Sequence, residues 1–303
     1  MPRVLTLSVA AVAAVAAALL HASLRSELVA GGASAEPAQA GAEAPPPAEL
    51  EELFAAAERS ADGLYALIAQ ASSRVASAGG DEGDRLALRL EPYCRRAFFG
   101  PERFEGMQAL GLTVHSVGKG ELPGAIAKHY GFSDGLFARL NQDYEPRNLR
   151  VGQQLKVLDL RGADLRLTVD RLRHRLAAWR QAPSGQGRLL LMYVTVGLGA
   201  PATPTPSGTT RVVERALDCE WTDPVTGVTY PPGDPGNLLG GYWMRLDEAG
   251  IGKKGIGLHG FTGDDPSAWL GKDASNGCVR MLQDDIDRVF HLARVGTPVE
   301  LVP

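Results

Sequence analysis

Ser275–Met281 reads SNGCVRM. A cysteine follows a glycine, an arginine stands two places later, and the chain holds only two other cysteines, Cys94 and Cys219. A thiol in such a setting is either a small buried hydrophobe or a nucleophile. A nucleophilic cysteine needs a base, donors for an oxyanion and an accessible position. The candidate base is His259, 19 residues upstream at the end of the run GIGLHG (Gly255–Gly260). Gly260 has no side chain, so its carbonyl can approach and orient the imidazole. Asn276-Gly277 permits a tight turn with positive φ, which can aim the amides of Gly277 and Cys278 at one point. Arg280 adds positive charge, favouring both a thiolate and an anionic substrate group. No second Cys or His stands at ligand spacing near Cys278, so the reading calls for no metal and no cofactor.

The surroundings are β-rich. Leu165–Gln181 alternates apolar and charged residues and predicts a strand; Arg188–Gly199 predicts a second, with Ala182–Gly187 as the turn between them. Tyr242–Leu246, Gly255–Phe261 and Gly296–Val302 read as further short strands. Ala200–Gly208 carries three prolines and cannot be a central strand. Leu282–Arg294 has helical spacing. Many short strands with one helix predict a mainly-β sandwich or barrel-like domain. Within it, Tyr242 and Trp243 are either groove-lining aromatics or core packing, and Thr203–Gly208 is a scaffold that shapes the entrance.

The combination LHG … SNGCVRM, with the TPTPSG loop upstream and YWMRL between, resembles the catalytic domain of the L,D-transpeptidases (the YkuD-type fold) over residues 163–303. The resemblance implies Cys278 as nucleophile, His259 as general base and acid, and Gly260 as the carbonyl that orients it. It also implies the amides of Gly277 and Cys278 as oxyanion donors and Arg280 as the arginine that supports the site and a substrate carboxylate; Ser275, Asn276, Tyr242 and Trp243 are further candidates for the substrate-binding surround. Asn276 stands where many members carry histidine, which implies altered hydrogen bonding or substrate preference. The implied partner is peptidoglycan. The thiolate would attack the third residue of a tetrapeptide stem, release D-alanine and pass the acyl group to an amine as a 3→3 cross-link. Water as acceptor would give an L,D-carboxypeptidase, and a protein amine an anchoring enzyme. A carbapenem should acylate the same thiol. The reading from a different class is a non-catalytic peptidoglycan-binding protein of the same fold.

Upstream, Leu112–Leu158 reads strand, helix, helix, strand: Pro123 sits early in the first helix, Gly131 stops it and Ser133 opens the next. The Gly120-Glu121 turn, IAKHYG (Ile126–Gly131), LFARLN (Leu136–Asn141) and VGQQLKV (Val151–Val157) resemble a LysM module over residues 111–159. That resemblance implies a small βααβ unit binding N-acetylglucosamine-containing glycan. Residues 49–78 show one apolar helical face and 84–98 a second helical stretch, so 49–110 is a helical region without evident chemistry.

Residues 36–48 are Ala/Pro-rich and predict a disordered linker. Arg3 followed by the apolar run Val4–Leu20 predicts an export signal, with residues 1–35 either cleaved or kept as a membrane anchor. The expected location is the periplasm or cell envelope. In an oxidising compartment two of three thiols can pair; with Cys278 kept free, Cys94 and Cys219 are the two that could, a pairing the sequence leaves open. A net charge of −4 and 6% aromatic residues leave neither a basic footprint nor a stacking platform for nucleic acid. The expected layout is therefore multidomain.

Overall fold

A computed structural model describes residues 47–303, except 104, 105, 143 and 224. The expected signal and most of the linker lie outside the described residues. Where the sequence predicts one helical face over 49–78, the structure has two helices, α1 (Pro47–Arg59) and α2 (Ala61–Ala78). Ser60 divides them: its hydroxyl accepts a hydrogen bond from the Gly63 N–H at 3.0 Å and so caps the new helix. Gly63 lets the helices touch, since a Cβ there would lie 2.3 Å from the Ala56 carbonyl oxygen. α3 (Gly80–Phe99) follows.

Next come β1 (Leu112–Ser116), α4 (Pro123–Tyr130), a 3-10 turn leading into α5 (Phe137–Leu140), and β2 (Gln154–Leu158), which pairs antiparallel with β1. The predicted strand Leu165–Gln181 is a hairpin, β3 (Arg166–Asp170) and β4 (Arg175–Gln181). The Asp170 carboxylate accepts from the Arg173 N–H at 2.8 Å, and His174 takes a positive φ of 56°, which together turn the chain. The remaining elements are β5 (Arg188–Thr195), β6 (Leu198–Gly199), β7 (Gly208–Leu217), β8 (Trp221–Thr222), β9 (Thr229–Tyr230), β10 (Tyr242–Leu246), β11 (Gly257–Gly260), α6 (Pro266–Trp269), β12 (Asp273–Ser275), β13 (Val279–Met281), α7 (Gln283–Leu292) and β14 (Pro298–Val302).

Eight strands hydrogen-bond in the order β13-β11-β10-β7-β14-β3-β4-β5. The mainly-β expectation holds, and the eight strands form one continuous ladder. The reason is the length of β7: its start pairs with β14 and its end with β10, so a single strand belongs to both halves.

β5 ends this ladder, and the helices cover its open side. The Leu190 N–H donates to Ser72 Oγ at 3.0 Å, the Tyr193 N–H to Glu91 at 2.6 Å, and the Cys94 thiol to the Leu190 carbonyl at 3.2 Å. A strand edge left with unpaired groups invites pairing with another chain; here side chains of α2 and α3 satisfy it. Cys94 is fully buried in this contact, and all three cysteines are free thiols. The Cys94–Cys219 pairing that the sequence leaves open is therefore not made.

The βααβ segment is built into the same core. Lys156 of β2, buried, donates to the carbonyls of Ala97, Gly100 and Glu102 at 2.8, 2.7 and 2.6 Å, receiving the carbonyl groups that the end of α3 leaves open. On its other side, Arg139 pairs with Asp287 of α7, and Ser133 Oγ meets His291 Nδ1 at 2.9 Å. Helices, βααβ segment and sheet share one continuous hydrophobic cluster. Among the described residues no helix is long and apolar enough to cross a membrane.

Candidate active site

β11 and β13 run parallel, with His259 opposite Arg280. Side chains alternate along a strand, so Cys278, two residues before Arg280, falls on the face that both share. β10 adds Trp243, registered against His259 with the rings 6.0 Å apart. These four residues, with Ser275 and Asn276, line one cavity of about 480 Å³.

His259 is buried, and its Nδ1 lies 2.5 Å from the Gly260 carbonyl oxygen. A carbonyl only accepts, so Nδ1 carries the proton and Nε2 keeps its lone pair. Burial lowers the His259 pKa to about 4; the Gly260 carbonyl opposes this and the Arg280 charge adds to it. The imidazole is thus a neutral base at neutral pH. Burial pushes the Cys278 thiol up, while the Gly257 backbone, Arg280 and Lys253 pull it down. At rest the thiol points to the Gly255 carbonyl at 3.4 Å. The resting pair is therefore a neutral imidazole and a neutral thiol.

A hydroxyl network fixes the turn that carries the sulfur. Ser275 Oγ accepts from the Gly277 N–H at 3.0 Å and donates to the Cys278 carbonyl at 2.6 Å. Thr205 Oγ1 donates to the Gly277 carbonyl at 2.9 Å and accepts from the Gly199 N–H at 2.8 Å, and Thr203 Oγ1 donates to the Ser275 carbonyl at 3.0 Å. Gly277 has φ +118°, a conformation that side chains resist. The TPTP loop therefore clamps the turn that carries Cys278.

Two expected roles change. The Gly277 amide is not a free oxyanion donor, because the turn folds it back onto Ser275. The neighbouring Cys278 N–H makes no hydrogen bond to a described residue. Tyr242 does not line the cavity: it points to the opposite face of β10 from Trp243. There it packs on Phe290 with ring centroids 5.2 Å apart and donates its hydroxyl to Asp287 at 2.5 Å. Ser275, 2% exposed, holds the turn rather than meeting solvent, whereas Asn276 is exposed at the rim. The Arg280 guanidinium lies 3.8 Å over the Phe261 ring and donates to the Ala274 carbonyl at 3.2 Å, with Nε unpaired. It is a fixed cation at the cavity wall that can receive a carboxylate.

The facing wall escaped the sequence reading. It comes from Glu214, Cys219, Glu220 and Trp221, at the end of β7 and the β8–β9 hairpin. Trp221 stacks on Tyr230, centroids 5.8 Å apart, and Asn237 Nδ2 ties the carbonyls of Cys219, Tyr230 and Pro231 together. The run of Asp, Pro and Gly from Asp223 to Gly236 is a turn signal that marks such an excursion.

A family model described as the L,D-transpeptidase catalytic domain, YkuD, matches residues 164–301. A curated Bacillus licheniformis protein, the putative L,D-transpeptidase YkuD, is 24% identical over 200 residues, 63% of this chain and all of its own length. The putative L,D-transpeptidase YqjB of Bacillus subtilis is 37% identical over 67 residues, 22% of this chain and 36% of its own. Among solved structures, a mutant L,D-transpeptidase of Enterococcus faecium aligns with a TM-score of 0.34 and 23% identity. That alignment covers 46% of this chain and 49%, about half, of the other.

Proposed function

We propose that the protein is an acyltransferase of the L,D-transpeptidase type, its catalytic domain within the matched residues 164–301, that it is exported, and that it transfers peptidoglycan stem peptides through Cys278. The observation that carries this reading is the His259 tautomer: Nδ1–H is bound to Gly260, and Nε2 is left as a base in the cavity that holds Cys278.

Nε2 accepts the thiol proton as Sγ attacks the carbonyl of the third residue of a tetrapeptide stem. The Cys278 amide donates to the resulting oxyanion, and Arg280 receives a stem carboxylate. Collapse breaks the amide bond; the D-alanine nitrogen leaves with the proton from His259, and a thioester remains. An amine of a second stem then gives its proton to His259, attacks the thioester and returns the thiol, forming a 3→3 cross-link. Residues 111–159, as a LysM-like module, would bind the glycan strand and raise the local concentration of stems. Residues 1–35 would direct export, as a cleaved signal or an anchor. Hydrolysis of the thioester by water is the second reading, because Asn276 in the cavity lining is exposed to solvent.

The test is incubation of the protein with a disaccharide-tetrapeptide, with products weighed by mass spectrometry. Cross-linked dimers lacking one D-alanine are expected; tripeptide alone means a carboxypeptidase. Cys278→Ala should give neither. Imipenem should add to the parent protein on Cys278 and not to Cys278→Ala. An adduct on Cys94 or Cys219 would sink the site assignment.

A further inference from the structure

A thiolate at Cys278 needs compensating positive charge, and the Gly277 amide is already engaged. The candidate is Lys253, in the loop between the 3-10 turn Glu248–Gly250 and β11. Its Nζ donates to the Pro204 carbonyl at 3.1 Å. The ammonium lies against Gly277: a Cβ added there would sit 2.7 Å from Nζ. Its neighbour Lys254 reaches Glu248 at 3.7 Å, whereas Lys253 has no carboxylate partner among the described residues. An ammonium has three donors, and the Pro204 carbonyl takes one.

We propose that Lys253 is a positioning residue for the Cys278 thiolate. Held by the clamp loop and laid against the glycine that precedes the nucleophile, its charge stabilises the sulfur anion from behind the turn, outside the substrate cavity. No bond is made or broken at Lys253; the thiol proton still goes to His259. This role rests on Cys278 being the nucleophile and not on which substrate it attacks.

The other charged and titratable groups around the sulfur are known. Arg280 comes from its own strand, and His259 from β11. Glu214 of β7, Glu220 and the Cys219 thiol face it across the cavity. Arg280 is occupied by the Phe261 face and the Ala274 carbonyl, and Glu214 is paired with Arg245 at 2.7 Å. Of these groups Arg280 and Lys253 are the cations that pull the thiol down against burial. His259 is already neutral well below neutral pH, so an inflection in the alkaline range belongs to the thiol.

The experiment follows iodoacetamide alkylation of Cys278 in the full chain against pH, read by mass spectrometry of the Cys278 peptide. The parent is compared with Lys253→Gln, which keeps a donor for Pro204 without charge, and with Lys253→Arg, which keeps charge. Lys253→Gln should move the inflection up by about one pH unit and slow alkylation about tenfold below it; Lys253→Arg should follow the parent. Cooperative melting of each variant certifies that it is folded. A Lys253→Gln profile superimposed on the parent's, or the same upward shift in both variants, overturns the proposal. No peptidoglycan enters this assay, so its outcome is independent of the transpeptidation assay.

Discussion

His259 carries the most information per residue in this site. Its folded pKa of about 4 against an ordinary 6.5 means that, between those values, the unfolded chain binds a proton that the folded chain refuses. Stability from this group is present above pH 6.5 and is lost as pH falls toward 4. The loss amounts to about 3 kcal/mol at about 1.4 kcal/mol per pH unit. Urea midpoints of the parent should fall over this window more than those of His259→Gln; parallel slopes in the two proteins would refute the assignment. Cys278, His259 and Arg280 stand out in the sequence through a local glycine turn and the resemblance they carry together, and the structure brings them with Trp243 to one cavity. The Gly277 amide was not legible in the sequence, since a hydroxyl two residues away decides where it points. Nor was Tyr242, because which face of β10 is the outer one depends on α7, a distant element.

At the scale of elements, the sequence showed helices and strands but not their breaks. Ser60 interrupts an apolar run that is continuous in composition, and the β3–β4 turn forms without Gly or Pro, from Asp170 and a left-handed His174. The function of α2 and α3 had no local signature either, because their polar contacts lie a hundred residues away. Ser72 is fully buried and is the acceptor of the Leu190 N–H. Ser72→Ala leaves that N–H unpaired and should cost about 1–3 kcal/mol in chemical denaturation. The rate of Cys278 alkylation in the folded variant should not change, since β5 lies at the far end of the ladder from β13. A midpoint equal to the parent's would show that the edge contact contributes nothing.

Over the whole molecule, the helices, the βααβ segment and the sheet share one hydrophobic cluster among the described residues. The element order of the βααβ segment was readable because its helix stops and turn glycines are local. Its attachment was not, because Lys156, Arg139 and Ser133 look like surface residues until α3 and α7 are placed against them. Replacing residues 111–159 by a short Gly-Ser linker should therefore abolish the cooperative thermal transition of the remaining chain. A sharp melt with Cys278 still alkylated at the parent's rate would show that the segment is separable after all.

The cover of β5 also has an order in time. Ser72 precedes its partner Leu190 by 118 residues, and Glu91 precedes Tyr193 by 102. At about 5–20 residues per second of synthesis, the ribosome releases the shield several seconds before the strand that needs it. An aggregation-prone edge is thus born into a chain that already contains its own chaperone.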